Sequence, residues 1–170
     1  LDGNIKDTSS IFPIILSLTK KNLINKVLVC EESAKKLSNI PNLEIYCVKN
    51  LDDAINFIKS NKKEEFLFKK NPLEYKVLKI NEIEYYFDTN YIDDFQDVIG
   101  QDMAKNAAVI SSAGCHNIIF EGSPGCGKSM ISKRLKYIMP PMNLEEILEK
   151  AKLQSLDYKE VDFLPIRAFR

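Results

Sequence analysis

The sequence contains no tryptophan, a single histidine, and no excess of charge of either sign. Among its 170 residues, 24 Lys and Arg balance 24 Asp and Glu, and the balance holds both before and after residue 93. The bulk composition therefore lacks the basic footprint that is typical of nucleic-acid-binding domains. Because one histidine cannot supply the several imidazoles of a typical histidine-based metal site, we do not expect such a site.

Cysteines are few and far apart, and long apolar runs are missing. Cys30, Cys47, Cys115 and Cys126 form no C-x-x-C pair, which argues against a zinc site or a disulfide framework. No apolar run approaches the ~18 residues of a membrane span, so we expect no membrane association. The first residues also lack the pattern of a signal peptide. We expect a cytoplasmic location with reduced thiols, and we expect the chain to be a segment of a longer protein.

Residues 1–60 alternate between helical and extended patterns. Pro13 suits the first turn of a helix, and Asn50 is a typical N-cap for another helix, whose apolar residues recur at helical spacing from Leu51. Short runs rich in β-branched residues predict buried strands. The predicted order is helix, strand, helix, strand and helix, over residues 12–18, 26–30, 31–37, 43–48 and from 51 onward.

Residues 61–92 are charged and aromatic. Two apolar-rich runs, 75–80 and 83–87, flank Asn81-Glu82 and predict a β-hairpin. Basic and aromatic residues together can bind single-stranded nucleic acid. Because acidic residues are interleaved with them here, we favour a connector that packs on a neighbour.

Residues 93–170 form a second segment with further helical patterns. Pro140-Pro141 ends one of its helices, and Asn143 and Glu146 have the spacing of a capping box at the start of the last. The preceding elements are predicted to be an alanine-rich helix, a short apolar strand and an amphipathic helix, over residues 101–114, 116–121 and 129–138.

The strongest chemical signal is GSPGCGKS at residues 122–129, which matches the phosphate-binding pattern G-x-x-x-x-G-K-[ST]. Its glycines let the backbone turn tightly and bring N–H groups close to phosphate oxygens. Lys128 supplies the catalytic positive charge for the β- and γ-phosphates, and Ser129 offers a hydroxyl to Mg²⁺. We predict an ATP and Mg²⁺ site formed by Gly122, Ser123, Pro124, Gly125, Cys126, Gly127, Lys128, Ser129 and Met130.

Only 41 residues follow Ser129, which is too few to complete the domain to which such a loop belongs. Hydrolysis also needs an acidic residue on another strand, a positioned water and usually an arginine. None of the acidic residues in the tail follows an apolar strand, so we interpret them as a solvated helix face and loop: Glu145, Glu146, Glu149, Asp157, Glu160 and Asp162. We expect this chain alone to bind ATP weakly and to hydrolyse it poorly.

Three stretches around the loop carry a family resemblance: residues 94–101, the alanine-rich helix and residues 114–121. Together they resemble the start of an AAA+ ATPase module, and more narrowly the ComM group of the magnesium-chelatase-like family. Residues 167–170, Arg-Ala-Phe-Arg, are similar to the Arg-Pro-Phe-Arg element of that group. The resemblance implies that Val98, Ile99 and Gly100 lie beside the adenine.

The start of the chain resembles a different domain. Residues 2–6, 26–30 and 40–45 look like the second half of a Lon-protease-like domain, an αβ fold of the ribosomal S5 domain 2-like type. Lon peptidases have a lysine that assists a serine nucleophile, and the resemblance implies that Lys6 stands at the position of that lysine. That serine would precede Leu1, and a surface lysine in a domain without proteolytic activity is the favoured interpretation of Lys6.

The two resemblances together imply an α/β protein with three parts. Residues 1–60 would form the C-terminal part of a Lon-like domain, and residues 93–170 would form the N-terminal part of a P-loop AAA+ module. Residues 61–92 would form the connector between them. For the full-length protein they imply an ATPase that binds ATP and ADP and assembles into a homo-oligomeric ring, expected to be a hexamer. Such a ring motor would act on DNA, in branch migration during recombination or natural transformation.

Two alternatives remain at this point. A magnesium chelatase ATPase subunit would drive metal insertion into a porphyrin, and the Lon-like segment argues against it. An ATP-dependent Lon-type peptidase would normally carry its protease domain after the ATPase, which is the reverse of the order inferred here.

Overall fold

The computed structural model describes residues 3–70, 73–90, 93–157 and 160–167. The chain divides into two compact units: the first comprises residues 1–74 and 148–163, and the second comprises residues 75–147 and 164–170. Both units combine helices with short strands, so the predicted α/β class is confirmed.

The first unit follows the predicted alternation of helices and strands. Its two strands are parallel, with Val27 opposite Ile45. Parallel strands need a crossover connection, and a helix supplies it here. Phe12, Leu16 and Leu37 are buried beside Ile45 in the core. The elements are α1 Ile11–Lys20, β1 Lys26–Val29, α2 Glu31–Leu37, β2 Glu44–Cys47 and α3 Leu51–Lys59, followed by a 3₁₀ turn at Lys63–Phe66.

Helix α3 begins where its cap predicts, but its apolar stripe is not buried. The Asn50 side chain accepts a hydrogen bond from the Asp53 N–H at 2.8 Å. Leu51 is 62% exposed and Ile58 is 74% exposed, although their helical spacing is that of an amphipathic helix. Phe57 lies on the packed face instead, with its ring 4.9 Å from that of Tyr46 on β2 and 5.6 Å from that of Phe66.

The second unit contains the predicted hairpin. Strands β3 Lys76–Ile80 and β4 Ile83–Phe87 pair antiparallel around Asn81 and Glu82, whose φ angles of 48° and 66° are those of a primed hairpin turn. β4 also pairs with β5 Met142–Asn143. The hairpin therefore belongs to a three-stranded sheet with a segment that follows the phosphate loop in sequence.

Three helices complete the second segment of the sequence: α4 Asp102–Ala113, α5 Lys128–Leu135 and α6 Leu144–Leu156. The predicted capping box of α6 is confirmed, because Asn143 and Glu146 exchange side-chain to backbone hydrogen bonds of 2.9 Å in both directions. Ala104 and Ala108 of α4 pack with Val98 and with α5 in a buried cluster, whereas Met103 and Ile110 of the same helix are 89% and 68% exposed.

The predicted strand over residues 116–121 is not a strand among the described residues. Ile118 and Phe120 pack against the buried cluster, whereas Ile119 is 93% exposed. This alternation is typical of a strand with one packed face. A strand is defined by backbone pairing with a neighbour, however, and no described segment pairs with this one.

Helix α5 is shorter than predicted, because it ends at Leu135 and not at Ile138. The Tyr137 and Ile138 N–H groups donate to the carbonyls three residues earlier, at 3.0 and 3.1 Å. The last turn is thus tightened towards 3₁₀ geometry ahead of the two prolines. In the described part of the chain, no helix has the length and apolar character that crossing a membrane would require.

Candidate nucleotide-binding site

The backbone of the GSPGCGKS loop turns through three glycines. Gly122, Gly125 and Gly127 have φ angles of 155°, 81° and 86°, in the range that residues with a side chain rarely adopt. A Cβ atom at Gly122 would also lie 3.2 Å from Cys126 Sγ. The loop conformation therefore requires glycine at these positions, as the sequence pattern predicts.

The loop leads directly into α5. Gly127 stands at the N-cap in the left-handed region, and Lys128 is the first helical residue. The first N–H groups of a helix have no acceptor within the helix, and the helix dipole places partial positive charge there. Ser129 is exposed on this first turn, and Met130 follows it with its side chain 38% exposed.

Lys128 holds the loop around its ammonium group. Its Nζ donates to the backbone carbonyls of Gly122 at 2.7 Å and Ser123 at 2.6 Å, and it lies 3.4 Å from Cys126 Sγ. The loop from Gly122 to Gly127 thus encircles one positive charge. Carbonyls that hold an ammonium group can exchange with phosphate oxygens, which are stronger partners because they are charged.

The residues predicted to lie beside the adenine are divided between core and surface. Val98 is 3% exposed and packs with Ile131 and Leu135 of α5. Ile99 follows it with its side chain 93% exposed, and Gly100 turns the chain with a φ of 68°. The structure therefore attaches this segment to the same helix that begins at the phosphate loop.

One charged cluster in the second unit was not predicted from the sequence. Arg134 of α5 binds Asp93 and Asp97 through salt bridges of 2.9 and 3.3 Å, and it also donates to the backbone carbonyl of Asp94. The three aspartates precede Val98. The only signals in the sequence are an arginine on the helix and a run of acidic residues upstream. Because these residues lie far apart in the sequence, no local pattern predicts that they form salt bridges.

The acidic residues of the tail are engaged in helix and loop contacts. Glu149 pairs with Lys20 at 2.6 Å, and Asp162 pairs with Lys150 at 2.7 Å. Glu146 caps α6 and binds Arg167. Within the described ranges, no group of three His, Cys, Asp or Glu residues could hold a metal ion.

Lys6 is exposed, as expected for a surface lysine. Its neighbour Asp7 is the better connected residue, because its carboxylate accepts hydrogen bonds from Ser33 and Lys36 of α2. Of the Arg-Ala-Phe-Arg element, residues 168–170 lie outside the described residues. Arg167 itself donates to the carbonyls of Pro140 and Pro141 at 3.0 and 3.1 Å.

Comparison with known proteins locates this second segment in a family. Residues 94–170 match the family described as magnesium chelatase, subunit ChlI. The match includes residues 98–100, the GSPGCGKS loop and Arg167.

Similarity to individual proteins extends over more of the chain. The competence protein ComM of Haemophilus influenzae is 29% identical over 163 residues, which are 96% of this chain and 30% of ComM. The uncharacterised protein YifB of Salmonella typhimurium is 48% identical over 63 residues, or 37% of this chain and 12% of YifB. An archaeal Lon protease of Archaeoglobus fulgidus is 34% identical over 68 residues, or 40% of this chain and 11% of that protein. The chain therefore spans less than a third of the length of each of these relatives.

Proposed function

We propose, from the match of residues 94–170 to the magnesium chelatase family, that the chain supplies the ATP-binding start of an AAA+ ATPase. The observation that carries the proposal is the loop itself. Glycines with positive φ angles turn the GSPGCGKS loop around Lys128 at the first turn of α5, so the loop backbone, a helix N-terminus and an ammonium group lie together.

Each residue of the loop has a defined role in this proposal. Residues 122, 123 and 125–127 present backbone N–H groups to the phosphate oxygens, whereas Pro124 has no N–H and shapes the loop. Lys128 exchanges its two carbonyl partners for the β- and γ-phosphates, and Ser129 directs its hydroxyl towards Mg²⁺. The magnesium ion supplies charge neutralisation on the phosphate oxygens when it is bound. Val98, Ile99 and Gly100 lie beside the adenine, with the Val98 side chain buried in the core and the exposed Ile99 side chain available for apolar contact.

For the full-length protein, we propose a homo-oligomeric ring motor that acts on DNA in branch migration. Support comes from the ComM-group resemblance and from the similarity to ComM over 96% of this chain. The Lon-like assignment of residues 1–60 belongs to the same proposal, as does the division into parts at residues 60 and 92. The neutral overall charge supplies no separate support for a DNA substrate.

Two other functions remain candidates, each with its own supporting observation. The family description, a magnesium chelatase subunit, supports an ATPase that drives metal insertion into a porphyrin. Similarity to the archaeal Lon protease supports an ATP-dependent peptidase. The ComM similarity favours the DNA motor over both, because it extends along nearly the whole chain.

Binding of branched DNA by the full-length protein that contains this chain tests the motor proposal. We expect ATP to stimulate binding, and we expect affinity to fall as salt rises because phosphate contacts release counterions. The Lys128→Ala variant is the matched control and should lose the stimulation by ATP. A folded hexamer that does not bind branched DNA would contradict the proposal. Casein degradation would then support the peptidase, and metal insertion into a porphyrin would support the chelatase.

A further inference from the structure

One arginine and three aspartates connect the two parts of the proposed ATP site. Arg134 lies on α5 six residues after Lys128, which is about 9 Å along the helix axis. Its Nε donates to the backbone O of Asp94 at 3.0 Å, and its Nη2 donates to Asp93 Oδ1 at 2.9 Å and to Asp97 Oδ2 at 3.3 Å. The helix that carries the phosphate loop is thus bonded to the segment before Val98.

Arg134 is the most enclosed member of this cluster. Its side chain is 15% exposed, against 41% for Asp93 and 45% for Asp97. A planar guanidinium that reaches several acceptors fixes orientation as well as distance, which a single ammonium group cannot do. Without the guanidinium, the two carboxylates would repel each other and the segment would lose its attachment to α5.

Asp94 and Asp97 belong to a turn that is closed by its own hydrogen bonds. The Asp94 side chain accepts from the Gln96 N–H at 2.9 Å, and the Asp97 carboxylate accepts from the Asp94 N–H at 3.0 Å. These bonds form a capping box around the 3₁₀ turn at Phe95–Asp97. A displacement of the aspartates would therefore move the whole turn.

The adenine-side residues follow this turn without an intervening linker. Val98 is anchored in the buried cluster with Ile131 and Leu135 of α5. Arg134 is adjacent to Leu135, so the apolar and the polar anchors share one turn of the helix. Together they set where the backbone of residues 99–100 lies relative to α5.

We propose that Arg134 is a positioning residue that holds the adenine-side segment, residues 98–100, in a fixed place relative to the phosphate loop. The inference rests on the proposed ATP site. It gives Arg134 no contact with the nucleotide, because the guanidinium acts through the backbone and carboxylates of residues 93–97. Base recognition, and not phosphate binding, is the property that depends on it.

Binding of ATP and of inorganic tripolyphosphate to the full chain separates these two properties. Tripolyphosphate can use only the phosphate loop, whereas ATP also uses the adenine side. For Arg134→Met we expect ATP affinity to fall roughly tenfold, as for the loss of charged hydrogen bonds. We expect tripolyphosphate affinity to change less than about twofold, within the range of a surface substitution. Arg134→Lys, which keeps the charge but not the fork, should lose an intermediate amount of ATP affinity.

Lys133→Ala is the control, because it removes an exposed positive charge from the adjacent position of α5. It should change both affinities slightly and by the same factor. Circular dichroism verifies that each variant is folded. If Arg134→Met unfolds, the affinities of Arg134→Lys for ATP and tripolyphosphate are compared with those of the wild type instead. Equal losses for both ligands, or no loss of ATP affinity, would overturn the positioning role. Wild-type protein that binds ATP no more tightly than tripolyphosphate would instead overturn the proposed adenine contact, and with it the need for positioning.

Discussion

Asp7 illustrates how a single carboxylate can connect distant parts of the first unit. Its Oδ1 accepts from Ser33 Oγ at 2.5 Å, and its Oδ2 accepts from Lys36 Nζ. Burial raises the pKa of this carboxyl group, but the hydrogen bonds from Lys36 and Ser33 outweigh burial and hold the pKa below its ordinary value. The side chain is 14% exposed, so solvent screens the pair only in part.

The lowered pKa of Asp7 predicts an acid-dependent loss of stability. An unfolded aspartate has a pKa of about 3.9, so the stabilisation is complete above about pH 4 and is lost as the pH falls through the lower folded value. Asp7→Asn should lower the free energy of unfolding by about 1–2 kcal/mol at pH 7. Urea denaturation between about pH 7 and pH 2 should show the two proteins converging in acid.

Asp52→Asn is the matched control for this pH series, because Asp52 is exposed on the first turn of α3. It should keep most of the wild-type pH dependence. Stability curves of wild type and Asp7→Asn that run parallel down to pH 2 would contradict the account of Asp7.

The glycines of the GSPGCGKS pattern predicted the tight turns of its backbone, but no sequence pattern predicted the cluster around Arg134. The loop is a local pattern, and its glycines have the left-handed angles that tight turning requires. Arg134 binds partners 37 to 41 residues away, and only the packing of α5 against the turn at Phe95–Asp97 brings them together. Sequence spacing contains no signal for such long-range pairs.

At the scale of the element, helix starts were predictable because their causes are local. The cap of α3 is one case, since Asn50 Oδ1 accepts the Asp53 N–H and Asp53 Oδ2 accepts the Lys49 N–H. Burial was not predictable in the same way. The stripe from Leu51 to Ile58 is exposed, because a periodic apolar face is buried only where a neighbouring element covers it.

Removal of the α3 cap should destabilise the first unit. Asn50→Ala should lower the free energy of unfolding by about 1 kcal/mol, since a half-buried N–H at the helix start loses its acceptor. Asn56→Ala, the same substitution inside the same helix at an exposed position, should change it by less than about 0.5 kcal/mol. Urea midpoints of the two variants provide the measurement. Equal destabilisation would show that Asn50 has no special role at the cap.

The stretch over residues 116–121 shows a second limit of prediction at this scale. Its alternation of packed and exposed residues is that of a strand, with Ile118 and Phe120 against the buried cluster and Ile119 outside. Alternation reports which face is packed and does not report whether a backbone partner is present. Ile118 and Phe120 nevertheless fix the segment that leads into the phosphate loop, because both pack against the buried cluster.

At the scale of the whole molecule, the described structure divides into two compact units. The sequence indicated the alternating elements of the first unit and the loop of the second. It gave no indication that the hairpin of residues 76–87 pairs with Met142–Asn143. That pairing is non-local, and it places the hairpin in the same unit as the candidate site.

The central claim is that the GSPGCGKS loop binds ATP through Lys128, and calorimetric titration of the full chain with Mg²⁺ and ATP tests it most directly. Wild-type protein should bind ATP weakly and saturably, and Lys128→Ala should bind at least about tenfold more weakly because it loses a charged phosphate contact. Two controls should stay within about twofold of wild type, as expected when no phosphate contact is removed. Cys126→Ala leaves both carbonyl contacts of Lys128 in place, and Lys133→Ala removes an equal charge from the same helix. Affinity that survives in Lys128→Ala, or a wild-type protein that binds no ATP, would contradict the account.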